Sequence, residues 1–509
     1  MKVLRILMIA AALYVSSSTS FLLMAEESAT PTRTGHAREF AVSPSMRDMY
    51  PALFVGQTPG SSEEMLPVAP PSAFAIGVSV DGISGNGGYK TPDPNGAAGS
   101  TQYVEYVNNQ YEVFDKSGNV VQGATNGDTL WKALGGTCST EGNSDVITQY
   151  DKIAGVWVML HRVGAGTTGD PYKECIAVSK TSDATGGWYL YSFTLAAYNV
   201  FPDYPKLAVW PDAYYVSFDS NGGNECALQR SVMLTGGASP SYVCFNKGPI
   251  TTLPSDFDGT VLPPTGSPNY YVGLDANNNT SPQYLKLFKF HVDWTNLSNS
   301  TLTGPTNLSV NSFTMACGNG QNCVPQEGTT VKVDSLGDRL MYRLAYRNIS
   351  GVETLVVNHS VRKGTSPNSY SGIRWYVLQN PNSTPAIAQS GEFNPDTNFR
   401  WMGSMAMDKA GDILLGYSES SSSMYPGIYV TGCANGNVSC TMGTEQLVQA
   451  GGGFEGSAGG GNWGDYTSMS VDPSDDCTFW YVNQYFTSAN SGTAAWTTHL
   501  ASIKFTGCS

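Results

Sequence analysis

The sequence predicts an all-β protein folded as a seven-bladed β-propeller, and three observations lead there. Seven Asp-led turns recur at near-equal intervals, no stretch sustains a 3.6-residue period, and 56 Gly, 28 Tyr and 10 Trp make the chain rich in turns and strands. Each turn separates a compact apolar strand from an aromatic one. The aspartates are Asp93, Asp151, Asp212, Asp275, Asp334, Asp408 and Asp472, separated by 58, 61, 63, 59, 74 and 64 residues. Asp at the start of a turn bonds its own backbone two residues on, and Gly or Asn closes the hairpin. A period near 60 accommodates four strands with long loops, and radial repetition protects the sheet edges. A two-sheet sandwich would explain the strands but not seven regular turns.

At the N-terminus, Lys2 and Arg5 precede an apolar run from Ile6 to Val15, and Leu22-Leu23-Met24-Ala25 ends before a polar segment. Residues 1–25 therefore read as a secretory signal, too short in its apolar part to span a bilayer; a retained anchor is the weaker reading. Residues 26–71 are rich in Pro, Ser, Thr and Glu without periodicity and read as a disordered or loosely attached leader. Residues 72–509 keep one character throughout and read as the propeller. Leu500–Phe505 and Ala73–Val80 are the candidate closing strands.

Ten cysteines in an exported chain favour disulfides. Pairing neighbours gives Cys138–Cys175, Cys226–Cys244, Cys317–Cys323, Cys433–Cys440 and Cys477–Cys508, the last stapling the final strand. No CxxC and no Cys/His cluster points to a metal.

A formal charge of −14, with only 13 % charged residues, excludes a nucleic-acid partner and electrostatic docking on anionic lipid. A secreted monomer, extracellular or periplasmic and without membrane insertion, is expected. Nine Asn-x-Ser/Thr sequons lie between Asn278 and Asn437; they matter only in a host that glycosylates.

Several long motifs resemble a family of secreted bacterial β-propeller proteins: DPNGAAG from Asp93, DYPKLAVWPDAYY at 203–215, RWMGSMAMDKAGDILLGYS at 400–418 and WGDYTSMSVDPSDDCTFWYVNQY at 463–485. The resemblance covers most of residues 90–509 and implies the fold and export. It carries no activity. YDKIAGVW at 150–157 has the spacing of a kelch turn, and VDPSDDCTFW is distantly similar to a sialidase Asp box whose full pattern is absent.

A propeller holds its ligand at one mouth of the axis, on the loops that lead into the innermost strands. Upstream of the turns stand Asp145, Asp203, Lys206, Arg400, Trp401, Trp463 and Asp465. Indoles with a polar rim suit sugar rings, and Arg suits the carboxylate of a uronic or sialic acid. Asp145, Lys206, Arg400, Trp401, Trp463 and Asp465 are the candidate ligand-binding set, with Asp145 and Asp465 as a carboxyl pair if the protein is a hydrolase. The plainer account, in which they bond neighbouring blades, is the stronger from sequence. Arg339, Arg343 and Arg347 alternate along one strand and read as a sialidase-like clamp or, better, as blade-to-blade ion pairs.

No HExxH and no Gly-x-Ser-x-Gly elbow occurs, and the five histidines are scattered. No cofactor is expected. Asp275-Ala-Asn-Asn-Asn offers oxygens for a structural calcium ion, although turn capping explains it. Two functions remain open: an extracellular binding or scaffold protein for a glycan or protein ligand, or a polysaccharide-active hydrolase or lyase.

Overall fold

The computed structural model describes residues 28–51 and 73–509, apart from 86–88, 142–143, 198, 220–223, 319–321, 367, 457–460, 462 and 489–494. The expected signal at 1–25 and residues 52–72 lie outside the described residues.

Local chemistry explains the hairpins. Gln102–Val107 and Gln110–Asp115 pair across Asn108-Asn109, where Asn109 takes the left-handed backbone (φ 81°) that a two-residue turn requires. At Asp151 the carboxylate accepts from the amides of Ile153 (3.1 Å) and Ala154 (2.9 Å), and Gly155 turns the chain at φ 71°. Asp408 and Asp472 cap their turns in the same way.

Among the described residues the strands lie in six hydrogen-bonded sheets: three of four strands, two of five and one of nine. In the nine-stranded sheet every pairing is antiparallel except that of Thr252–Phe257 with Met341–Ile349, which is parallel. The inner strands run Asn95–Ala98, Ser144–Asp151, Lys206–Val209, Thr252–Phe257, Met341–Ile349, Phe399–Met407 and Ser468–Val471. Each packs against the next, and the last packs back on the first, so the sheets close a ring in the manner of a β-propeller. Their exposed backbone edges are satisfied across the ring. Thr148 N–H donates to Asn95 Oδ1 (2.8 Å), Val209 N–H to Asp256 Oδ1 (2.9 Å) and Met469 N–H to Ser404 Oγ (3.0 Å).

Phe74–Ser84 pairs antiparallel with Trp496–Phe505, Val80 opposite Leu500. The sheet of the final inner strand thus takes its outermost strand from near the N-terminus, and Cys477–Cys508 fastens it. All five expected disulfides are present.

Two expectations are corrected. Residues 28–42 are no disordered leader but a strap along the rim. Ser28–Ala29 pairs with Thr301–Val310, Arg33–His36 with Ser241–Asn246, and Glu39–Val42 with Trp188–Phe193. Segments this short fold by capping sheet edges with their backbone, so they need no apolar alternation of their own.

The seven Asp turns are not equivalent. Asp151, Asp212, Asp408 and Asp472 link an inner strand to the second strand of its group, whereas Asp275 ends a second strand and Asp93 and Asp334 precede inner strands. The same turn chemistry serves any hairpin, so it recurs without marking one position.

The three arginines do not form one cluster. Arg343 is buried against Asp256 and Asp258, Arg347 pairs with Asp476 (2.6 Å), and Arg339 pairs with Asp219 (2.8 Å) and Asp338 (2.9 Å). Arg343 makes the ion pairs between neighbouring groups that the sequence favoured, and Arg347 reaches past the Phe399–Met407 group to Asp476 of the one beyond.

Candidate functional site at one mouth of the axis

Asp93 stands just before Asn95–Ala98, Asp145 is the second residue of Ser144–Asp151, Lys206 opens Lys206–Val209 and Asp465 precedes Ser468–Val471. All four therefore sit where inner strands begin, at one end of the axis. Asp93, Asp145 and Asp465 each offer a carboxylate oxygen within 4.8 Å of the others. Asp93 (φ 47°), Asp145 (φ 53°) and Tyr204 (φ 53°) all adopt left-handed backbone, a concentration of strain that functional sites favour.

The cluster is tightly wired. Asp465 N–H donates to Asp93 Oδ1 (2.8 Å) and Asn108 Nδ2 to Asp93 Oδ2 (2.6 Å), while Asn108 Oδ1 accepts from Asp145 N–H (2.9 Å). Arg162 reaches Asp145 Oδ2 through Nη2 (2.8 Å) and Nε (3.2 Å). Lys206 is wholly buried, its Nζ 3.3 Å from the centre of the Tyr204 ring and 4.1 Å from that of Tyr466. It donates to the carbonyl of Pro205 (2.9 Å). Tyr204 OH donates to the carbonyl of Asp465 (3.2 Å), and Tyr466 OH to that of Val146 (3.0 Å).

Protonation reflects this crowding. Burial, then the charge of Asp145, pushes Asp93 up to about 6. Burial and the Asp93 and Asp145 charges hold Asp465 well above the usual carboxylate range. Burial pulls Lys206 down to about 7 against the opposing attraction of the aspartates. Burial and Asp145 also raise Asp203. Shifted acids and a shifted lysine packed together where the inner strands begin single this cluster out as the candidate site.

Aromatic surface rims this floor. Phe201 is 40 % exposed, with the Arg162 guanidinium 3.9 Å over its ring and Tyr172 edge-on at 5.1 Å. Arg339 lies over Tyr204 at 4.9 Å and, with Asp219 and Asp338, lines an open groove of about 480 Å³.

Of the expected residues, Asp145, Lys206 and Asp465 converge, with Asp203 beside them. Arg400, Trp401 and Trp463 do not join them. Arg400 is fully buried within its own sheet, bound to Glu445 (2.6 Å), Asp396 (2.7 Å) and Glu419 (3.0 Å). It stands directly opposite Glu419 across the strand pair, and a register shift after Trp401, with Met402 at φ 50°, redirects the rest of the strand. Trp401 and Trp463 are buried against each other at 5.6 Å, and Trp463 Nε1 donates to Ser418 Oγ (3.1 Å). They are core, not a platform.

Sequence reasoning missed Asp93, Arg162, Phe201, Tyr204 and Tyr466. Arg162 had a signal: the Asp151 hairpin returns it opposite Ser144, next to Asp145. Asp93 was concealed because its turn signature reads as a hairpin.

Among the described residues, the other groupings of metal-ligand type are already engaged, Asp396, Glu419 and Glu445 by Arg400. Cys138 and Cys175 beside His161, and Cys477 and Cys508 beside Asp408, are disulfide-bonded. Asp275 accepts from Asn277 N–H (3.1 Å) and pairs with Lys286 (2.7 Å), so that turn is capped by the protein itself.

No family model and no curated protein matches the chain. Among solved structures it is similar to the WD40 domain of SCAP from fission yeast (9 % identity, 80 % of this chain and 82 % of that one, TM-score 0.34). It is also similar to an alpha-L-arabinanase of Penicillium chrysogenum (9 %, 72 % and 99 %, TM-score 0.37). A third is Drosophila Semaphorin 1a, extracellular domains 1-2 (9 %, 84 % and 89 %, TM-score 0.35). At these scores strand pairing, not likeness, defines the architecture.

Proposed function

We propose that the chain is an exported, seven-bladed β-propeller that binds a neutral glycan at the mouth where its inner strands begin. The blade count holds if the nine-stranded sheet is two blades joined at its parallel pairing. Five disulfides fit an oxidising compartment, and among the described residues no helix is long and apolar enough to cross a membrane.

The observation that carries the reading is the convergence of Asp93, Asp145, Lys206 and Asp465, from four separate inner-strand groups, beneath the exposed Phe201 ring. Carboxylates accept from sugar hydroxyls, and an aromatic face packs against a pyranose ring. Arg162 is already paired with Asp145, and Arg339 with Asp219 and Asp338, so an acidic sugar finds its guanidinium partners occupied.

One observation favours a second reading, a glycoside hydrolase. Three close carboxyls, with Asp93 held near 6, offer a proton donor beside an ionised partner, at a spacing near the ~5 Å of retaining enzymes. A glycan array run with a reducing-sugar release assay separates the two. Retention without release supports binding, release supports the hydrolase, and neither retention nor release rejects both.

A further inference from the structure

We propose that Asp93, Asp145 and Asp465 hold a divalent cation of the oxygen-preferring class of Ca²⁺, with the amide oxygen of Gln484 beside them and the open coordination positions toward the mouth. The site is the one proposed to bind glycan, but the inference stands on its own contacts.

Three carboxylate oxygens mutually within 4.8 Å can share one ion at the ~2.4 Å of a Ca²⁺–oxygen bond. Their present partners leave capacity. Arg162 engages only Oδ2 of Asp145, Asp93 accepts one bond at each oxygen, and the partly exposed Asp465 accepts no side-chain bond among the described contacts.

A second observation is independent of the acids. Gln484 is 2 % exposed, yet its Oε1 has no hydrogen-bond partner among the described residues. A Cβ placed on Gly464 would meet that oxygen at 2.7 Å and Asp93 Oδ1 at 3.3 Å, so both oxygens face the same gap. Gly464 lies at φ 141°, and any side chain there would close it. A buried amide oxygen left unpaired costs stability that an ion beside it would recover. Ca²⁺ takes six to eight oxygens, so four protein residues leave positions for water or for the hydroxyls of a sugar.

The ion must oppose the nearby cations. Lys206, Arg162 and Arg339 face the cluster, as do Asp203, the buried Glu174, Tyr204 and Tyr466.

The test titrates EDTA-treated mature protein with CaCl₂ by calorimetry, with MgCl₂ as a second arm, and follows Tb³⁺ luminescence sensitised by Tyr204 and Tyr466. One ion should bind with a Kd of about 10⁻⁴–10⁻³ M, as in extracellular Ca²⁺ modules. Asp465→Asn should lose binding while Asp275→Asn keeps it. No binding at 10 mM CaCl₂ (about ten times the upper Kd), or unchanged affinity in Asp465→Asn, overturns the assignment. Should that variant not fold, Gln484→Ala decides: unchanged Ca²⁺ affinity in it overturns the assignment equally. No glycan is present, so failure here leaves the glycan reading standing, and failure of the array leaves this one.

Discussion

The backbone amide of Asp465 donates to Asp93 Oδ1 at 2.8 Å, joining residues 372 positions apart. The bond links the first inner strand to the last, so one carboxylate both closes the ring and shapes the mouth. Asp93→Ala deletes the acceptor for Asp465 and for Asn108. It should cost about 1–3 kcal/mol, because a part-buried amide and one N–H of the buried Asn108 lose their acceptor. Urea unfolding of the variant beside the wild type measures this, and an unchanged midpoint would remove Asp93 from the closure.

Cys477–Cys508 fastens the last strand across a 31-residue separation. Replacing both cysteines by alanine should cost about 2–5 kcal/mol and fray Trp496–Phe505 from Phe74–Ser84 first. Amide exchange localised to those two strands would show it; uniform loosening of the ring would not fit.

At the far end of the axis, Arg343 neutralises Asp256 and Asp258, and Lys152 shares Asp258. Arg343→Met leaves Asp256 buried without its guanidinium partner and should cost about 3–5 kcal/mol, without effect on ligand binding. Thermal unfolding and a binding assay on the same preparation check both halves.

Glu105 is buried, one carboxyl oxygen has no partner among the described residues, and burial above all lifts it to about 8. An acid whose folded pKa exceeds its unfolded value binds more protons when folded. Its stabilising contribution is therefore complete below about 4.5 and is lost as pH rises towards 8. Glu105→Gln should gain on the wild type by on the order of 3 kcal/mol between pH 5 and pH 8. Denaturation at the two pH values tests the sign, and an equal difference at both would contradict it.

The boundary between what was legible in the sequence and what was hidden has physical causes. The disulfides and the closing strands were legible because cysteines paired with neighbours and long apolar strands announce themselves. The strap at 28–42 was not, since strands of two to four residues borrow their order from the edges of Thr301–Val310, Ser241–Asn246 and Trp188–Phe193. Half of the candidate site was readable from distance to a turn, which sets height along the axis. Direction was not readable: Arg400 shares that height but turns into its own sheet towards Glu419 and Glu445. Asp93 was visible only as a turn, and its neighbours Asp145 and Asp465 belong to other sheets.

The glycan-binding claim is tested most directly by titrating the array-selected oligosaccharide into Asp465→Asn and Arg400→Ala. Asp465 is partly exposed at the mouth, whereas Arg400 is buried among three carboxylates. The account predicts that Asp465→Asn abolishes binding and leaves Tm nearly unchanged. It predicts the reverse for Arg400→Ala, which should lose about 3–5 kcal/mol of stability and keep its affinity wherever it remains folded. Wild-type affinity in Asp465→Asn would contradict the account.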